Sequence, residues 1–344
     1  GSYAIVTKVH HACIDGVSGV DMIEAIHDLE PTPREVPKAR PWRGENDPNP
    51  LELLARAQFN NLSQPFRFAE VMARTVPAFG RLTRGFAERK FDQPQIQPPR
   101  TRFNHQVTGH RVVEGRRFLL DEVRAIKNSV AGATINDVVL TVVGGALRAY
   151  LEEKQELPGQ SMIAMAPISV REPEGKGAMG NQVAAMTVAL GTDISDPLER
   201  LASVHEHAAR SKAMTNAVGA KLMTDYSQFI PSTTAALAAR LYTEYGLSEQ
   251  MNVPFNCVVT NVPGPQFPLY SAGARLVTQF GLGPIFDGMG LIFPVVSYCG
   301  WITISLTSCR EMMPDPEFFG SCLEGSYAAL KDAAGVEDMP QPEL

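Results

Sequence analysis

Cysteine is scarce in this sequence, with five residues among 344. They are Cys13, Cys257, Cys299, Cys309 and Cys322. No two of them are spaced as C-x-x-C, and an odd number cannot all pair within one chain. A disulfide framework is therefore not indicated, and reduced thiols in a cytoplasmic protein are the better interpretation.

The sequence also lacks a strong excess of either charge. It has 31 Lys and Arg residues against 37 Asp and Glu residues, a formal net charge of -6 at pH 7. This balance gives no reason to expect a nucleic-acid partner. No G-x-S-x-G motif of serine hydrolases occurs, and no Gly-rich phosphate loop convincingly follows a predicted strand. The sequence therefore does not indicate a serine hydrolase or a dinucleotide-binding enzyme.

One long stretch, Gly288–Cys309, contains no charged residue and is long enough to cross a bilayer. It includes Pro294, three glycines and several Ser and Thr residues, and β-branched residues dominate its second half. These features favour two buried strands joined by a turn over a membrane helix.

The strongest candidates for catalytic residues lie near the start, in the stretch VHHACIDG. Tyr3–Val9 is rich in β-branched and aromatic residues, which predicts a strand. Val20–Leu29 has apolar residues at helical spacing, and Ser18 is a candidate cap for that helix. Because side chains alternate along a strand, we expect His10 and His11 to point in opposite directions.

Three roles are open for these histidines. Imidazole titrates near neutral pH, which suits a general base in a pocket. The alternatives are hydrogen-bonded structural histidines and a metal site. No nearby Cys or carboxylate set completes a zinc spacing, so we expect no metal. Asp15 can hold the loop or orient a ring, and Gly16 permits a backbone geometry that a β-carbon would block.

The H-H-x-x-x-D-G pattern resembles the signature of acyltransferases with the chloramphenicol-acetyltransferase fold, which peptide-synthetase condensation domains share. Four later stretches narrow the resemblance to the bacterial wax ester synthase/diacylglycerol acyltransferase family. They are Thr134–Leu151, Met165–Arg171, Val259–Pro265 and Gly288–Cys309. They occur in matching order, and the resemblance covers essentially the whole chain.

This resemblance implies transfer of a fatty acyl group from acyl-CoA to a long-chain alcohol or to diacylglycerol. His11 would be the general base, His10 would face away from the reaction, and Asp15 would be structural and paired with an arginine. No cofactor or metal is implied beyond acyl-CoA as the donor substrate. The alternatives are another CoA-dependent or condensation-type acyltransferase and a non-catalytic lipid-binding protein.

Three further residues are candidates for substrate binding. Asn136 and Asp137 begin a predicted helix, where Asn and Asp are common simply as caps. The resemblance adds a functional alternative, because the Asn-Asp motif of the family lies near the catalytic channel. Arg171 follows a predicted strand and either touches a polar part of coenzyme A or forms a structural ion pair. His205 and His207 are predicted to be surface residues.

The predicted fold is a two-lobe α/β sandwich with mixed sheets, whose first lobe is incomplete. Family members carry a further segment before the histidine motif, with Pro-Leu-Trp near its start, and this chain lacks it, so we expect an N-terminally truncated chain. The predicted divisions are the remainder of the first lobe, a proline-rich crossover with linking helices, the second lobe and a tail. Their bounds are residues 1–30, 31–103, 104–336 and 337–344, respectively.

The remaining expectations concern partners and location. The substrates are acyl-CoA and a fatty alcohol or diacylglycerol. A basic and apolar stretch over residues 65–90 is compatible with peripheral contact to a membrane or lipid droplet. The more ordinary interpretation is a helix packed between lobes with solvated arginines. We expect a cytoplasmic protein, and the sequence does not indicate its oligomeric state.

Overall fold

The computed structural model describes most of the chain. The described residues are 1–10, 16–33, 35, 41, 44, 49–59, 62, 66, 69, 73, 75, 80, 84, 88, 98–169, 183–218 and 232–342. The predicted crossover and the basic, apolar stretch lie largely outside them, as do His11, Asp15 and Arg171.

Helices and strands together form a mixed α/β fold, as predicted. The helices are α1 (Gly16–Ala25), α2 (residues 50–59), α3 (Leu120–Lys127), α4 (Ile135–Glu153), α5 (Pro197–Val218), α6 (Ser232–Glu244), α7 (Leu247–Gln250) and α8 (Pro316–Ala333). The strands are β1 (Arg111–Leu119), β2 (Ile163–Ser169), β3 (Val183–Ala189), β4 (Cys257–Val262), β5 (Tyr270–Ser271), β6 (Ala274–Arg275), β7 (Leu291–Tyr298) and β8 (Trp301–Cys309).

Six of these strands form one mixed sheet, in the order β1-β8-β7-β4-β2-β3. The inner pairs β2–β4 and β4–β7 are parallel, whereas β1–β8, β7–β8 and β2–β3 are antiparallel. The uncharged stretch Gly288–Cys309 supplies β7, a tight turn and β8, which confirms the prediction of two buried strands. Every residue of β8 is buried, because both faces of the sheet are covered at this strand.

Helix α4 is buried along most of its length against one face of the sheet. It approaches its neighbours so closely that two adjacent positions have no room for a side chain. A β-carbon on Gly144 would lie 2.1 Å from the Leu190 carbonyl oxygen, and one on Gly145 would lie 2.2 Å from Ser326 Oγ. The Gly-Gly pair therefore allows α4 to pack between the sheet and α8.

The predicted strand Tyr3–Val9 is wrong. Residues 1–10 have no regular secondary structure, and their side chains are exposed. A single strand is not stable without a neighbour, and the described part of the chain supplies none to this segment. Ser18 is also not a cap, since α1 begins two residues earlier, at Gly16. The argument from strand alternation that separated His10 from His11 therefore does not hold, and the choice of His11 rests on the family resemblance.

Candidate active site

Three parallel strands end at the same edge of the main sheet. β2 ends at Ser169, β4 at Val262 and β7 at Tyr298. In open α/β sheets, ligands bind preferentially outside the carboxyl ends of the strands. The site residues predicted from the sequence are therefore expected at this carboxyl edge.

The turn that follows β4 is fixed tightly to this edge. Gly264 N–H donates to Ser297 Oγ at 3.2 Å, and a β-carbon on Gly264 would lie 2.2 Å from the Ser297 carbonyl oxygen. Gln266 Nε2 donates to the Gly264 carbonyl, and Gln266 Oε1 accepts from Gly300 N–H. The Pro-Gly-Pro turn thus forms a rigid wall beside the ends of β4 and β7.

Tyr298 is a buried residue at the end of β7, at the same edge of the sheet. Burial raises its pKa to about 12, so the phenol stays protonated at neutral pH. Its oxygen accepts a hydrogen bond from Leu269 N–H at 2.8 Å, which ties the segment before β5 to the end of β7.

Helix α4 begins at Ile135, and residues 154–162 connect its end to the start of β2. Thr134 is the N-cap, and its Oγ1 accepts from Asp137 N–H at 3.2 Å. In return, Asp137 Oδ2 accepts from Thr134 N–H at 2.8 Å. This reciprocal pair is a capping box, and it satisfies two backbone donors that would otherwise lack partners.

The Asp137 carboxylate also contacts His205, which was predicted to be a surface residue. His205 Nδ1 lies 2.9 Å from Asp137 Oδ2, although the two residues are 68 positions apart. The Asp137 side chain is 4% exposed, and that of His205 is 27% exposed. The backbone at Gly132 is left-handed, and a β-carbon there would lie 3.2 Å from His205 Nε2.

These contacts indicate different roles for Asp137 and Asn136. Asp137 is buried and braces the start of α4, so the capping interpretation is confirmed for it. Asn136 is partly exposed one position earlier in the same turn. Binding of substrate by either residue stays a prediction, and Asn136 is the side chain of the pair that a ligand can reach.

The segment carrying the histidine motif is attached beside the end of β4. Helix α1 begins at Gly16, the last residue of the motif, and lies against β4. After α1, Asp28 and Tyr270 exchange two backbone hydrogen bonds of 2.8 Å. Before the motif, the Tyr3 hydroxyl donates to the Ser271 carbonyl. Both flanks of the motif are therefore fastened to residues 270–271, close to the rigid turn.

The structure thus brings three of the predicted stretches to one edge, but it does not describe every predicted residue. His10 lies in the exposed first segment, and Arg171 follows the end of β2 by two positions, outside the described residues. Contacts between the imidazole of His11 and the other candidates also lie outside the described residues.

Elsewhere, a cleft of about 670 Å³ lies at the opposite end of α4 from Asn136. Pro99, Arg100, Gln160 and Val253 are among its lining residues, and none of the predicted site residues that the structure describes is. Arg100 is already engaged there, since it donates to the carbonyls of Ser248 and Met251. We therefore assign no chemistry to this cleft.

The described residues offer no candidate for a metal site or for a membrane-spanning helix. Among them, no group of three or more His, Cys, Asp or Glu side chains is arranged to hold a metal ion. None of the helices in the described part of the chain has both the length and the apolar character needed to cross a membrane.

Comparison with known families identifies two matching regions. Residues 1–139 match the wax ester synthase/diacylglycerol acyltransferase catalytic domain. Residues 179–331 match the C-terminal domain of the same family.

Comparison with individual proteins agrees. A putative diacylglycerol O-acyltransferase of Mycobacterium tuberculosis is 32% identical over 341 residues, which are 99% of this chain and 66% of that protein. A probable diacylglycerol O-acyltransferase of the same organism is 31% identical over 340 residues, 98% of this chain and 72% of that protein. The chain therefore spans roughly two thirds of the length of the first of these relatives.

Among solved structures, the wax ester synthase/diacylglycerol acyltransferase from Marinobacter aquaeolei VT8 has the same fold. The TM-score is 0.61 at 24% identity, over 95% of this chain and 68% of that one. The predicted fold class is confirmed by this match. With the two family regions and the Mycobacterium relatives, these findings show that the chain belongs to the wax ester synthase/diacylglycerol acyltransferase family.

Proposed function

We propose that this protein transfers a fatty acyl group from acyl-CoA to the hydroxyl of diacylglycerol or of a long-chain alcohol. The products are triacylglycerol or wax ester, with free coenzyme A. The observation that carries the proposal is family membership over 98–99% of the chain, together with the convergence of three motif-bearing segments at the carboxyl edge of the sheet.

In the proposed reaction, His11 removes the proton of the acceptor hydroxyl. The hydroxyl oxygen attacks the thioester carbon and forms a tetrahedral oxyanion. The C–S bond then breaks, and the proton passes from the imidazole to the departing thiolate, which leaves as a thiol. No acyl-enzyme forms. General base catalysis of this kind contributes about 10²- to 10⁴-fold to the rate.

Other residues position this base and the substrates. Asp15 has the structural role that the family resemblance implies, and Gly16 begins α1. Asn136 offers an amide at the start of α4, where it can bind the acceptor or the thioester carbonyl. Asp137 and His205 keep that first turn in place through the hydrogen bonds described above. Arg171 binds a polar part of coenzyme A.

A peripheral contact with a lipid surface is part of the proposal, since both the acceptor and the product are poorly soluble. Helix α2 supports it, because Leu51, Leu54 and Phe59 are 78%, 57% and 72% exposed. Apolar side chains on an amphipathic helix can insert among lipid headgroups. Flotation with liposomes checks this contact, and a protein that stays at the bottom of the gradient contradicts it. The expected location is the cytoplasm.

The activity is tested by incubating the protein with labelled palmitoyl-CoA and either hexadecanol or dioleoylglycerol. Labelled wax ester or triacylglycerol is the expected product, and the ratio of the two shows acceptor preference. The chain is assayed alone and after co-expression with the upstream segment of a relative, because it spans only part of its relatives' length. Tight binding of palmitoyl-CoA without product in any arm would favour the lipid-binding alternative.

A further inference from the structure

The face of the main sheet opposite α4 carries an unusual set of polar side chains. Trp301 and Ser305 on β8 alternate with Ile302, Ile304 and Leu306, which belong to the helix-covered core. Because directly paired residues lie on the same face, Arg117 on β1, which pairs with Thr303, shares the face of Trp301 and Ser305. We call this side of the sheet the second face.

A loop over residues 278–283 crosses the second face. Phe280 lies against Gly115, where a β-carbon would come within 2.8 Å of its ring. Gly281 lies over Pro294, and Gly283 N–H donates to Thr307 Oγ1 at 3.4 Å. The loop therefore contacts β1, β8 and β7.

On the second face and in this loop, several buried polar atoms have no hydrogen-bond partner. Within the described residues, the unpartnered atoms on this face and its loop are Arg117 Nη1, Thr278 Oγ1, Gln279 Nε2, Trp301 Nε1 and Ser305 Oγ. Ser305 is 1% exposed and Trp301 is 9% exposed. Buried polar groups normally have partners, and a bound species or ordered water completes the hydrogen bonds that the chain itself leaves open.

The cluster has a definite polarity. Three of the five atoms are nitrogen donors, the other two are hydroxyls, and none is a carboxylate. The Arg117 guanidinium lies 4.6 Å from the centre of the Trp301 ring and forms no ion pair within the described part of the chain. The neighbouring carboxylate of Glu114 is on the opposite face, where it pairs with Arg116. The species that fits is one that accepts hydrogen bonds and carries negative charge.

Apolar side chains surround the same cluster. Val113, Val277, Phe280 and Leu282 are between 50% and 59% exposed, although they are large and hydrophobic. Val113 lies on β1 and on the second face, since it pairs with Thr307, and the other three lie on the loop or directly before it. A ligand with an oxyanion head and an apolar tail would satisfy both parts of this surface.

We propose that the second face, beneath the loop over residues 278–283, is a binding site for an anionic amphiphile with a carboxylate or phosphate head. The head accepts hydrogen bonds from Arg117, Gln279 and Trp301. The hydrocarbon tail lies along Val113, Phe280 and Leu282. This site is separate from the first turn of α4, and the proposal does not rest on acyl transfer, because binding is measured without turnover.

The chain contains its own reporter for this site. It has two tryptophans, Trp42 and Trp301, so Trp42→Phe leaves Trp301 as the single fluorophore. This variant is titrated with sodium laurate, dodecyl phosphate, inorganic phosphate, dodecyl maltoside and dodecyltrimethylammonium, all below the concentrations at which they aggregate. Laurate and dodecyl phosphate should each give a saturable change in Trp301 emission, and the other three probes should not. Calorimetry on the unmodified chain provides the same affinities without reliance on Trp42→Phe.

Two variants link binding to the cluster. Arg117→Met removes the charge but keeps much of the length, and it should weaken binding of dodecyl phosphate about tenfold or more, as expected for loss of a charge-assisted hydrogen bond. The matched control is Arg124→Met, because Arg124 is exposed and paired with Asp121 on α3. It should bind like the unmodified chain. If Arg117→Met does not fold, as judged by circular dichroism, Gln279→Ala in the loop replaces it, with an expected loss of several-fold.

Several results would overturn the proposal. If no probe binds saturably, the unpartnered donors are satisfied by water. Equal affinity for dodecyl maltoside and dodecyl phosphate would mean that the surface binds any apolar chain. If inorganic phosphate binds as tightly as dodecyl phosphate, the hydrocarbon tail contributes nothing to binding. Unchanged affinity in the Arg117 and Gln279 variants would place the ligand elsewhere on the molecule.

Discussion

The described residues among the first 59 and those from residue 98 onward include similar apolar side chains, but the two regions differ in how far these side chains are exposed. In the first region, Val6, Leu51 and Phe59 are 85%, 78% and 72% exposed. In the second, Leu147 and Phe293 are completely buried within one core cluster. The difference lies in partners, since burial of apolar surface requires a second surface to pack against.

The two regions also differ in their proposed roles, catalysis in the first and structural support in the second. The histidine motif lies in the first region, which is held to the second through Asp28–Tyr270 and Tyr3–Ser271. The second region supplies a rigid edge, a capped helix and a fixed turn. Substitutions in the two regions should therefore affect different measurements, as the following predictions state in order of decreasing effect.

The largest effect is expected on turnover at the histidine motif. His11→Ala should lower kcat about 10²- to 10⁴-fold, because the acceptor hydroxyl loses its base. The melting temperature should stay unchanged, since the described residues that precede the motif are exposed. The measurement is initial rates with palmitoyl-CoA beside thermal melts, with His10→Ala as the matched control. A larger loss of rate in His10→Ala would transfer the base to that ring.

The next effect contrasts two leucines on helices. Leu147→Ala on α4 should lower the free energy of unfolding by about 2–5 kcal/mol, because it leaves a cavity in the core. Leu53→Ala on α2, where the side chain is 51% exposed, should change it by less than about 0.5 kcal/mol. Urea unfolding followed by circular dichroism measures both. Similar losses in the two variants would show that the first region is packed as tightly as the second.

A smaller effect is expected at the start of α4. Asp137→Ala should lower the free energy of unfolding by about 0.5–2 kcal/mol, because it removes the capping box and the partner of His205. Asn136→Ala next to it should leave the free energy of unfolding nearly unchanged and reduce kcat/KM. Thermal melts and initial rates on both variants check this contrast. A stable Asp137→Ala variant with reduced turnover would instead assign substrate contact to Asp137.

The smallest effect concerns pH and a buried carboxylate in the second region. Burial would raise the pKa of Glu122, but hydrogen bonds from Lys331, Tyr327 and Met339 N–H outweigh it and hold the pKa below its ordinary value of 4.5. The ionised carboxylate therefore stabilises the fold above pH 4.5, and this contribution is lost as the pH falls through the lowered pKa.

Glu122→Gln removes this dependence. The unmodified chain should be more stable than the variant near neutral pH, and the difference should shrink as the pH falls from about 6 to about 3. Thermal melts across this range measure it, with the exposed Asp332→Asn on α8 as a control that should follow the unmodified chain. If the difference in stability between the unmodified chain and Glu122→Gln grows as the pH falls, the pKa of Glu122 is not lowered in the folded protein.

The sequence predicted the strands β7 and β8 because an uncharged stretch with glycines and β-branched residues has few alternatives. It also predicted a helix that starts at Asn136 and Asp137, which is α4. It failed for Tyr3–Val9, because the composition of a strand does not supply the neighbour that a strand needs. It also missed His205, since nothing in the local pattern relates this residue to Asp137.

The sequence by itself determined the family, the order of the motifs and the chemical types available for acyl transfer. These follow from residue identity and spacing along the chain, which do not depend on packing. Only the tertiary structure decided that Asp137 is a buried brace, that the turn after β4 lies against β7, and that Arg117, Trp301 and Ser305 share one face of the sheet. Such relations join residues from 33 to 188 positions apart in the sequence, and they exist only once the strands have paired and the helices have packed.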